Sequence, residues 1–362
     1  MKTYAASKIC LTAMALVIFT AAVQAGAYKY EESYTKTIEL KGEQRLVVGN
    51  KRGNIVVIGE EGRTGIELIV TEYVRAECED SARKIAEKMS VKIKSKNGDL
   101  IIVAVFPDTD GDKKSIISVL LQRDPRAHID IKVLIPQHLA LKLKASSGDV
   151  VATGISNTVK AATASGDIKL VKIGGDVEVG VSSGDIIIEE LEGDANIDSA
   201  SGDVCAKKIT GAVVARTASG DIELRDLGGD LSVTTASGET LVKGVGSVEY
   251  KGSGGGAEFS GVRGCVSAAV ASGDLHFHLE PDGDHDYVLR TSSGQIDLRF
   301  AKRMPGGFVL KVNTTNGDID VSLPIQISKV GRHLITGVVR EGKNVVKLET
   351  VSGDITIVED EE

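Results

Sequence analysis

The amino-acid sequence predicts an all-β fold, a single-stranded parallel β-solenoid with about 18 residues per coil and a small α+β N-terminal cap. The first observation is a run of eleven turn residues spaced nine apart, of which ten are glycine. The second is that the second and fourth residues after most of these turns are apolar, as in strands with one buried face. The third is that the seventh residue alternates between large and small side chains, so two different half-coils make up one repeat.

Every second turn carries the tripeptide Ser-Gly-Asp or Ser-Gly-Glu. The glycines of these structural turns are Gly148, Gly166, Gly184, Gly202, Gly220 and Gly238. Asn157 replaces glycine at one intervening turn, and Asn adopts positive φ more readily than most residues. Coils stacked ~4.8 Å apart align equivalent positions in columns. Outward charges such as Glu189 and Lys207 then pair as cross-strand neighbours, which predicts charged ladders on the outer faces.

Residues 1–25 predict a signal peptide. Lys2 and Lys8 form a basic segment, Ile9–Val23 is apolar, and Val23-Gln24-Ala25 supplies a cleavage site of small residues. The apolar segment is short for a ~20-residue membrane span. We therefore expect an exported protein without a transmembrane anchor after cleavage, located in the periplasm, at the cell surface or outside the cell.

Residues 28–140 predict the N-terminal cap of the solenoid. The segment Glu79 to Met89 places apolar residues on one face and predicts a helix. The runs Ile66–Tyr73 and His128–Ile135 predict strands on either side of it. Gly53-Asn54 followed by β-branched residues resembles the repeat turn. We expect this region to cover the first coil.

Residues 141–358 predict the solenoid repeats. After Gly238 the spacing loosens, and the glycines at 252–256 predict an irregular loop. The turn motif then returns at intervals of 21, 23 and 36 residues, which predicts coils with longer turns, at Gly273, Gly294, Gly317 and Gly353. The last residues, 359–362, predict an acidic tail that protects an exposed end of the sheet.

Composition excludes several classes of function. The net charge of −8 and the lack of a basic stripe disfavour nucleic-acid binding. The chain has no Trp and only 7 Tyr and 6 Phe, which disfavours a groove that stacks sugars on aromatic rings. Three cysteines follow the leader, and no metal or redox spacing links Cys78, Cys205 and Cys265.

The repeated Ser-Gly-Asp-Ile/Val turn resembles that of the DUF4097 family of adhesin-like proteins and the related DUF2807 head-domain family. The segment Ile131–Pro136 before the first strict coil and the late motifs at 314–319 and 350–355 are also similar. The resemblance covers about residues 45–358. It implies an exported β-solenoid of the bacterial envelope, and it brings no catalytic residues.

Calcium is one ligand to consider, because nine-residue repeats occur in calcium-binding β-rolls. In those rolls Asp lies two residues after a glycine, whereas here it follows the glycine directly. Stacking nevertheless places a set of carboxylates in one column with Glu239, namely Asp149, Asp167, Asp185, Asp203 and Asp221. Neighbouring carboxylates repel by about 0.9 kcal/mol even in water. Either turn N–H and hydroxyl groups or bound cations must offset this repulsion.

A second candidate metal site is the pair His276 and His278. These residues are two apart on a predicted strand and so share its outer face, with Asp282, His285 and other polar residues in the following loop. Two imidazoles with carboxylates are zinc ligands. The alternative is a polar outer face followed by a solvated loop.

The sequence contains no recognised catalytic motif. An enzyme that cleaves polysaccharides needs clustered acids and aromatic subsites, whereas the outer charges here have ladder partners. We expect a non-enzymatic, exported, adhesin-like β-solenoid without cofactors that binds a protein or glycan, or acts as a scaffold, at the bacterial cell envelope. Its recognition surface would be columns of Thr, Ser, Lys and Glu. The alternatives are a cation-stabilised surface protein that uses the Asp column, and a carbohydrate-active β-helix enzyme.

Overall fold

The computed structural model describes residues 28–107, 126–301, 306–340 and 342–360. Over these ranges the chain forms 31 β-strands and one α-helix, which confirms the all-β class. The predicted leader, residues 1–25, lies outside the described residues. The chain divides into two compact units, Met1–Gly166 and Asp167–Glu362, each with its own strand arrangement.

The first unit contains ten strands and the helix. They are β1 (Tyr28–Glu39), β2 (Arg45–Arg52), β3 (Ile55–Glu60), β4 (Gly65–Ala76), α1 (Glu79–Ala86), β5 (Ser90–Lys96), β6 (Asp99–Val105), β7 (Arg126–Pro136), β8 (Ala140–Ser147), β9 (Val150–Ile155) and β10 (Val159–Ser165). In one sheet of this unit the order is β1-β4-β7-β3-β9, and in the other it is β10-β8-β2-β6-β5.

The predicted helix and its flanking strands are confirmed. Helix α1 begins at Glu79 and buries Ala82 and Ala86. The acidic residues in its first turn interact favourably with the positive end of the helix dipole. The two predicted strand runs lie within β4 and β7, which pair antiparallel. Antiparallel pairs also join β1 to β4 and β5 to β6. These pairs distinguish the N-terminal region from the parallel repeats.

Residues 45–60 form a coil of the repeat, so the N-terminal region is not only a cap. Strand β2 pairs in parallel with β8, and β3 pairs in parallel with β9. The turn between β2 and β3 has Gly53 at φ +105°, and its N–H donates to the Ser147 carbonyl oxygen at 2.9 Å. Gly53-Asn54 supplies the same turn chemistry as Ser-Gly-Asp, and Leu46 and Ile55 supply the same buried face.

The second unit contains 21 strands. They are β11 (Ile168–Ile173), β12 (Val177–Ser183), β13 (Ile186–Leu191), β14 (Ala195–Ser201), β15 (Val204–Ile209), β16 (Val213–Ser219), β17 (Ile222–Leu227), β18 (Leu231–Thr235), β19 (Thr240–Val245), β20 (Val248–Gly254), β21 (Ala257–Val262), β22 (Val266–Ser272), β23 (Leu275–Leu279), β24 (Tyr287–Ser293), β25 (Ile296–Phe300), β26 (Phe308–Asn313), β27 (Ile319–Ser322), β28 (Ile325–Gly331), β29 (Leu334–Val339), β30 (Asn344–Ser352) and β31 (Ile355–Glu359).

The strand register of the second unit shows solenoid-like repeats. Ile168 pairs with Ile186, and the parallel pairing continues in steps of 18 residues through Val204 and Ile222 to Thr240. The next step, from Thr240 to Ala257, is one residue shorter. The irregular loop predicted at 252–256 is therefore wrong: β20 extends to Gly254, and Gly255 forms the turn at φ +91°.

In one half-coil a left-handed residue at the sixth position places the third buried side chain at the seventh position and not at the sixth. The residues at this position are Gly154, Lys172, Glu190, Lys208, Asp226, Gly244 and Gly261, all with φ between 57° and 72°. The resulting kink turns the seventh side chain, such as Ile173 or Leu191, into the core. In the other half-coil the small seventh residues, such as Ala218, are exposed, and the sixth residue, such as Thr217, is buried.

The last coil in the sequence is not the last coil in the stack. Strand β30 lies between β24 and β26, and β31 lies between β25 and β27, in parallel. Gly353 therefore follows Gly294 in the stack and Gly317 comes after it, an order that differs from the order of these turns along the sequence. The predicted acidic tail, residues 359–362, lies partly outside the described residues. Its first residue, Glu359, ends β31, which lies between β25 and β27, whereas β27 and β28 are the outermost strands of this unit.

Candidate functional site

The first candidate site is the column of acidic residues that follow the Ser-Gly turns. In the second unit each Asp Oδ1 accepts the backbone N–H of the equivalent residue in the next coil, at 2.8 to 2.9 Å. This aspartate ladder consists of Asp167, Asp185, Asp203 and Asp221, and it ends at the N–H of Glu239. A charge-assisted hydrogen bond to each carboxylate offsets the repulsion between neighbouring charges.

The first unit contains a ladder of the same kind. Asn54 donates its N–H to Asp130 Oδ1 at 2.8 Å, and Asn54 Oδ1 accepts the N–H of Asp149 at 2.9 Å. An uncharged amide thus takes the place that carboxylates take elsewhere. The hydrogen bond from Asp149 to Asn54 needs an oxygen acceptor but does not need a negative charge. A side chain that caps the backbone of a turn has the same requirement.

We expect Asp203→Ala to lower the free energy of unfolding by about 1 kcal/mol, because the N–H of Asp221 loses its acceptor. Asp203→Asn retains a carbonyl oxygen and should cost much less. Chemical denaturation followed by circular dichroism measures both. Melting curves in EDTA and in millimolar calcium complete the test. A calcium-induced rise in Tm that is lost when Asp167, Asp185 and Asp203 are all replaced by Asn would contradict the capping role.

The second candidate site is a column of basic side chains on the outer face of the odd-numbered strands. Lys207, Arg225 and Lys243 occupy paired positions on β15, β17 and β19. The same column continues through Ser260 on β21, His278 on β23 and Arg299 on β25. The predicted charged ladder is confirmed at its start, where Lys207 pairs with Glu189 at 3.0 Å. We refer to these six residues, of which only Ser260 lacks a basic side chain, as the basic column.

The two candidate histidines lie at the far end of this face, and each contacts its own carboxylate. His276 Nδ1 lies 2.8 Å from Asp297 Oδ2, on the neighbouring strand β25. His278 Nε2 lies 2.8 Å from Asp360 Oδ2, just after β31. Both histidine side chains are partly exposed. The structure thus places the two imidazoles on one face, as predicted, and pairs them with carboxylates from two different coils.

An open groove of about 430 Å³ surrounds the histidines and is also lined by Glu258 and Arg299. Beneath it the core is aromatic, with the rings of Phe259 and Phe277 stacked at 4.5 Å between centroids. Six of the 13 Tyr and Phe residues are buried in this part of the unit, namely Tyr250, Phe259, Phe277, Tyr287, Phe300 and Phe308. These rings fill the core and leave the outer face polar.

Sequence reasoning did not find the partners of the histidines. Asp297 and Asp360 are 21 and 82 residues from their respective histidines and meet them only through strand pairing and through the insertion of β30 and β31. The loop after β23 contains His285 and Asp282, which contact each other at 2.8 Å and not His276 or His278. Among the described residues, no group of three or more His, Cys, Asp or Glu side chains is arranged to hold a metal ion.

These features define an all-β repeat protein whose stacked turns support polar outer faces. A model of the Toastrack DUF4097 family matches residues 44–253 and 210–358. The chain therefore belongs to this family. In the described parts of the chain, no helix has the length and apolar character needed to cross a membrane. No curated protein matches the sequence.

Several solved structures are similar to this chain at low identity. A "putative cell adhesion protein" of Clostridium sporogenes ATCC 15579 is 11% identical, with 91% of this chain and 100% of that chain covered and a TM-score of 0.22. A "putative adhesin" of Bacteroides fragilis NCTC 9343 is 11% identical, with 91% and 97% covered and a TM-score of 0.31. A "putative lipid binding protein" of Parabacteroides distasonis ATCC 8503 is 10% identical, with 91% and 97% covered and a TM-score of 0.30. Scores this low do not establish a shared function.

Proposed function

We propose that this protein is an exported, non-enzymatic, adhesin-like protein that binds an acidic polysaccharide of the bacterial cell envelope. Its repeats would form one closed single-stranded solenoid with coils of about 18 residues. Export is supported by the sequence of residues 1–25, and the adhesin-like role by the resemblance of the Ser-Gly-Asp turns. No cofactor is part of the proposal.

The basic column carries the proposal. Lys207, Arg225 and Lys243 project from neighbouring strands ~4.8 Å apart, so their charges form a line along the stack. Lys207 also contacts Glu189, and Arg225 contacts Glu223, so a polyanion would compete with these exposed pairs. His278 and Arg299 extend this line toward the groove. A linear polyanion matches such a line, because successive acidic groups contact successive coils and the contributions of many weak contacts add. A neutral polymer makes no such contacts.

Binding of the purified protein to immobilised alginate, with neutral dextran as the reference polymer, tests the proposal. We expect saturable binding to alginate that weakens as salt rises, and no binding to dextran. Arg225→Glu should weaken binding about tenfold, because it places a negative charge within the column. Arg216→Glu is the matched control: Arg216 pairs with Asp198 at 3.4 Å on the outer face of the other sheet, and this change should leave binding intact.

Three results would contradict the proposal. Equal binding to alginate and dextran would show that binding does not depend on the charge of the polymer. Equal loss of binding in Arg225→Glu and Arg216→Glu would show attraction to the whole protein and not to the basic column. A fall in alginate chain length during incubation would show turnover and thus an enzyme.

A further inference from the structure

Cys265 lies in a second column of turn residues in the second unit, four of whose seven members are aspartates. The residues at this position, one before each even-numbered strand from β12 to β24, are Asp176, Asp194, Ala212, Asp230, Ser247, Cys265 and Asp286. The aspartates cap backbone N–H groups one coil further on: Asp176, for example, accepts from Asp194, and Asp230 from Ser247. A thiol is a weak acceptor, so capping does not account for the cysteine.

The stacking of coils places an imidazole and a carboxylate next to this thiol. Cys265 Sγ lies 3.7 Å from His285 Nδ1, and His285 Nε2 lies 2.8 Å from Asp282 Oδ1. His285 and Asp282 belong to the loop between β23 and β24, and β24 pairs with β22, which follows Cys265. The contact with His285 lowers the pKa of Asp282, which keeps that carboxylate ionised. Cys265 is thus placed as a nucleophile, His285 as its base and Asp282 as the group that orients the base.

An open groove of about 460 Å³ leads to the thiol along the outer face of the even-numbered strands. It is lined by the partly exposed side chains of Val214 and Val288, and Cys265 is also one of its lining residues. Three acidic residues, Asp230, Glu249 and Asp286, also line it, of which Glu249 pairs with Lys251 at 2.7 Å. The groove therefore accommodates a small ligand, and its negative charge favours a cationic one.

We propose that Cys265 is a reactive thiol, positioned by His285 and Asp282, that exchanges with small cationic disulfides. His285 Nδ1 accepts the thiol proton, and the Cys265 thiolate attacks one sulfur of the disulfide. A bond forms between Cys265 Sγ and that sulfur as the original S–S bond breaks. The leaving thiolate takes the proton from His285, so one free thiol and one mixed disulfide replace one thiol and one disulfide.

The other two cysteines outside the leader provide internal references. Cys78 is exposed, and its Sγ lies 3.2 Å from Ser81 Oγ rather than from an imidazole; this contact lowers the pKa of its thiol. Cys205 is partly buried, which raises the pKa of its thiol. Neither depends on His285, so a change at His285 should affect Cys265 alone.

The test uses cystamine as the cationic disulfide and glutathione disulfide as the anionic one. Mass spectrometry of peptides gives the rate of mixed-disulfide formation at each cysteine from about pH 5 to pH 9. We expect Cys265 to react at pH 6 to 7 at least about tenfold faster with cystamine than with glutathione disulfide, and high salt to reduce this difference. His285→Gln should slow Cys265 about tenfold and shift its pH profile upward, with the rate at Cys78 unchanged. Asp282→Asn should give a smaller decrease.

Several outcomes would overturn the proposal. One is a Cys265 rate with the same pH profile in the wild-type protein and in both variants. Another is equal reactivity toward the two disulfides at low salt, which would remove the role of the acidic groove. A Cys265 rate no higher than that of Cys205 would show an inert thiol. Circular dichroism of the variants distinguishes a lost base from a lost fold.

Discussion

Replacing Gly202 by Ala is expected to destabilise the second unit by about 2–6 kcal/mol, a large part of the ~5–15 kcal/mol typical of a folded domain. Gly202 has φ +118°, a conformation that costs a residue with a Cβ about 1–3 kcal/mol. A Cβ built there would also lie 2.6 Å from the carbonyl carbon of Gly184 in the preceding coil. Gly184 lies in the turn between β12 and β13, and its N–H donates to the Ser201 carbonyl oxygen at 3.2 Å, so this backbone cannot move away without straining that hydrogen bond.

Chemical denaturation followed by circular dichroism measures the loss of stability. Gly180→Ala is the matched control, because Gly180 lies in β12 without a positive φ, and a Cβ there meets no atom within 4 Å. We expect the control to be neutral or slightly stabilising, since Ala has less backbone entropy in the unfolded chain. Equal stability of the Gly202→Ala and Gly180→Ala proteins would show that the turn does not require glycine.

Repeated local chemistry explains how much of the fold the sequence predicts. Each Ser-Gly-Asp turn places the next strand in the same register, so the pairing of Ile168, Ile186 and Val204 follows from the spacing alone. The same uniformity hides the order of the last coils. The turns at Gly294, Gly317 and Gly353 have nearly the same local sequence, so any of them can stack on any other. Their order depends on the long segments between them, which carry no periodic pattern.

The candidate sites likewise fall into those that the repeat pattern predicts and those that depend on non-repeating segments. The outward ladder Glu189–Lys207 and the shared face of His276 and His278 follow from strand alternation, and the structure places them as expected. The contact between Cys265 and His285 depends on the length of the loop after β23, which no periodicity sets. The kink at the sixth position also has a signal in the sequence. Gly154, Gly244 and Gly261 recur at the sixth position of their coils, and this recurrence marks a left-handed residue.

A chain that ends at Lys343 is expected to lose the structure of residues 306–340. Strand β26 pairs only with β29 and β30, and β27 pairs only with β31 within the described residues. Removing β30 separates β26 from β24, and removing β31 separates β27 from β25. The truncation also removes buried Val346, Leu348, Ile355 and Ile357 from the core, where a single Leu-to-Ala change already costs about 2–5 kcal/mol. The three-stranded antiparallel sheet of β26, β29 and β28 then has no neighbouring coil to cover its apolar face, and β27 has no partner strand among the described residues.

Limited proteolysis with trypsin followed by mass spectrometry tests this expectation. In the shortened chain we expect cleavage after Lys311 to become at least about tenfold faster, because local opening no longer has to break the paired strands. Residues up to Phe300 should stay protected, since the coils of the second unit pair mainly with their nearest neighbours. A chain that ends at Ala301 is the matched control and should show the same protected fragment. If Lys311 stays as protected in the shortened chain as in the full chain, then β26 and β29 hold their place without β30, and the inserted coil is not what fixes this end of the stack.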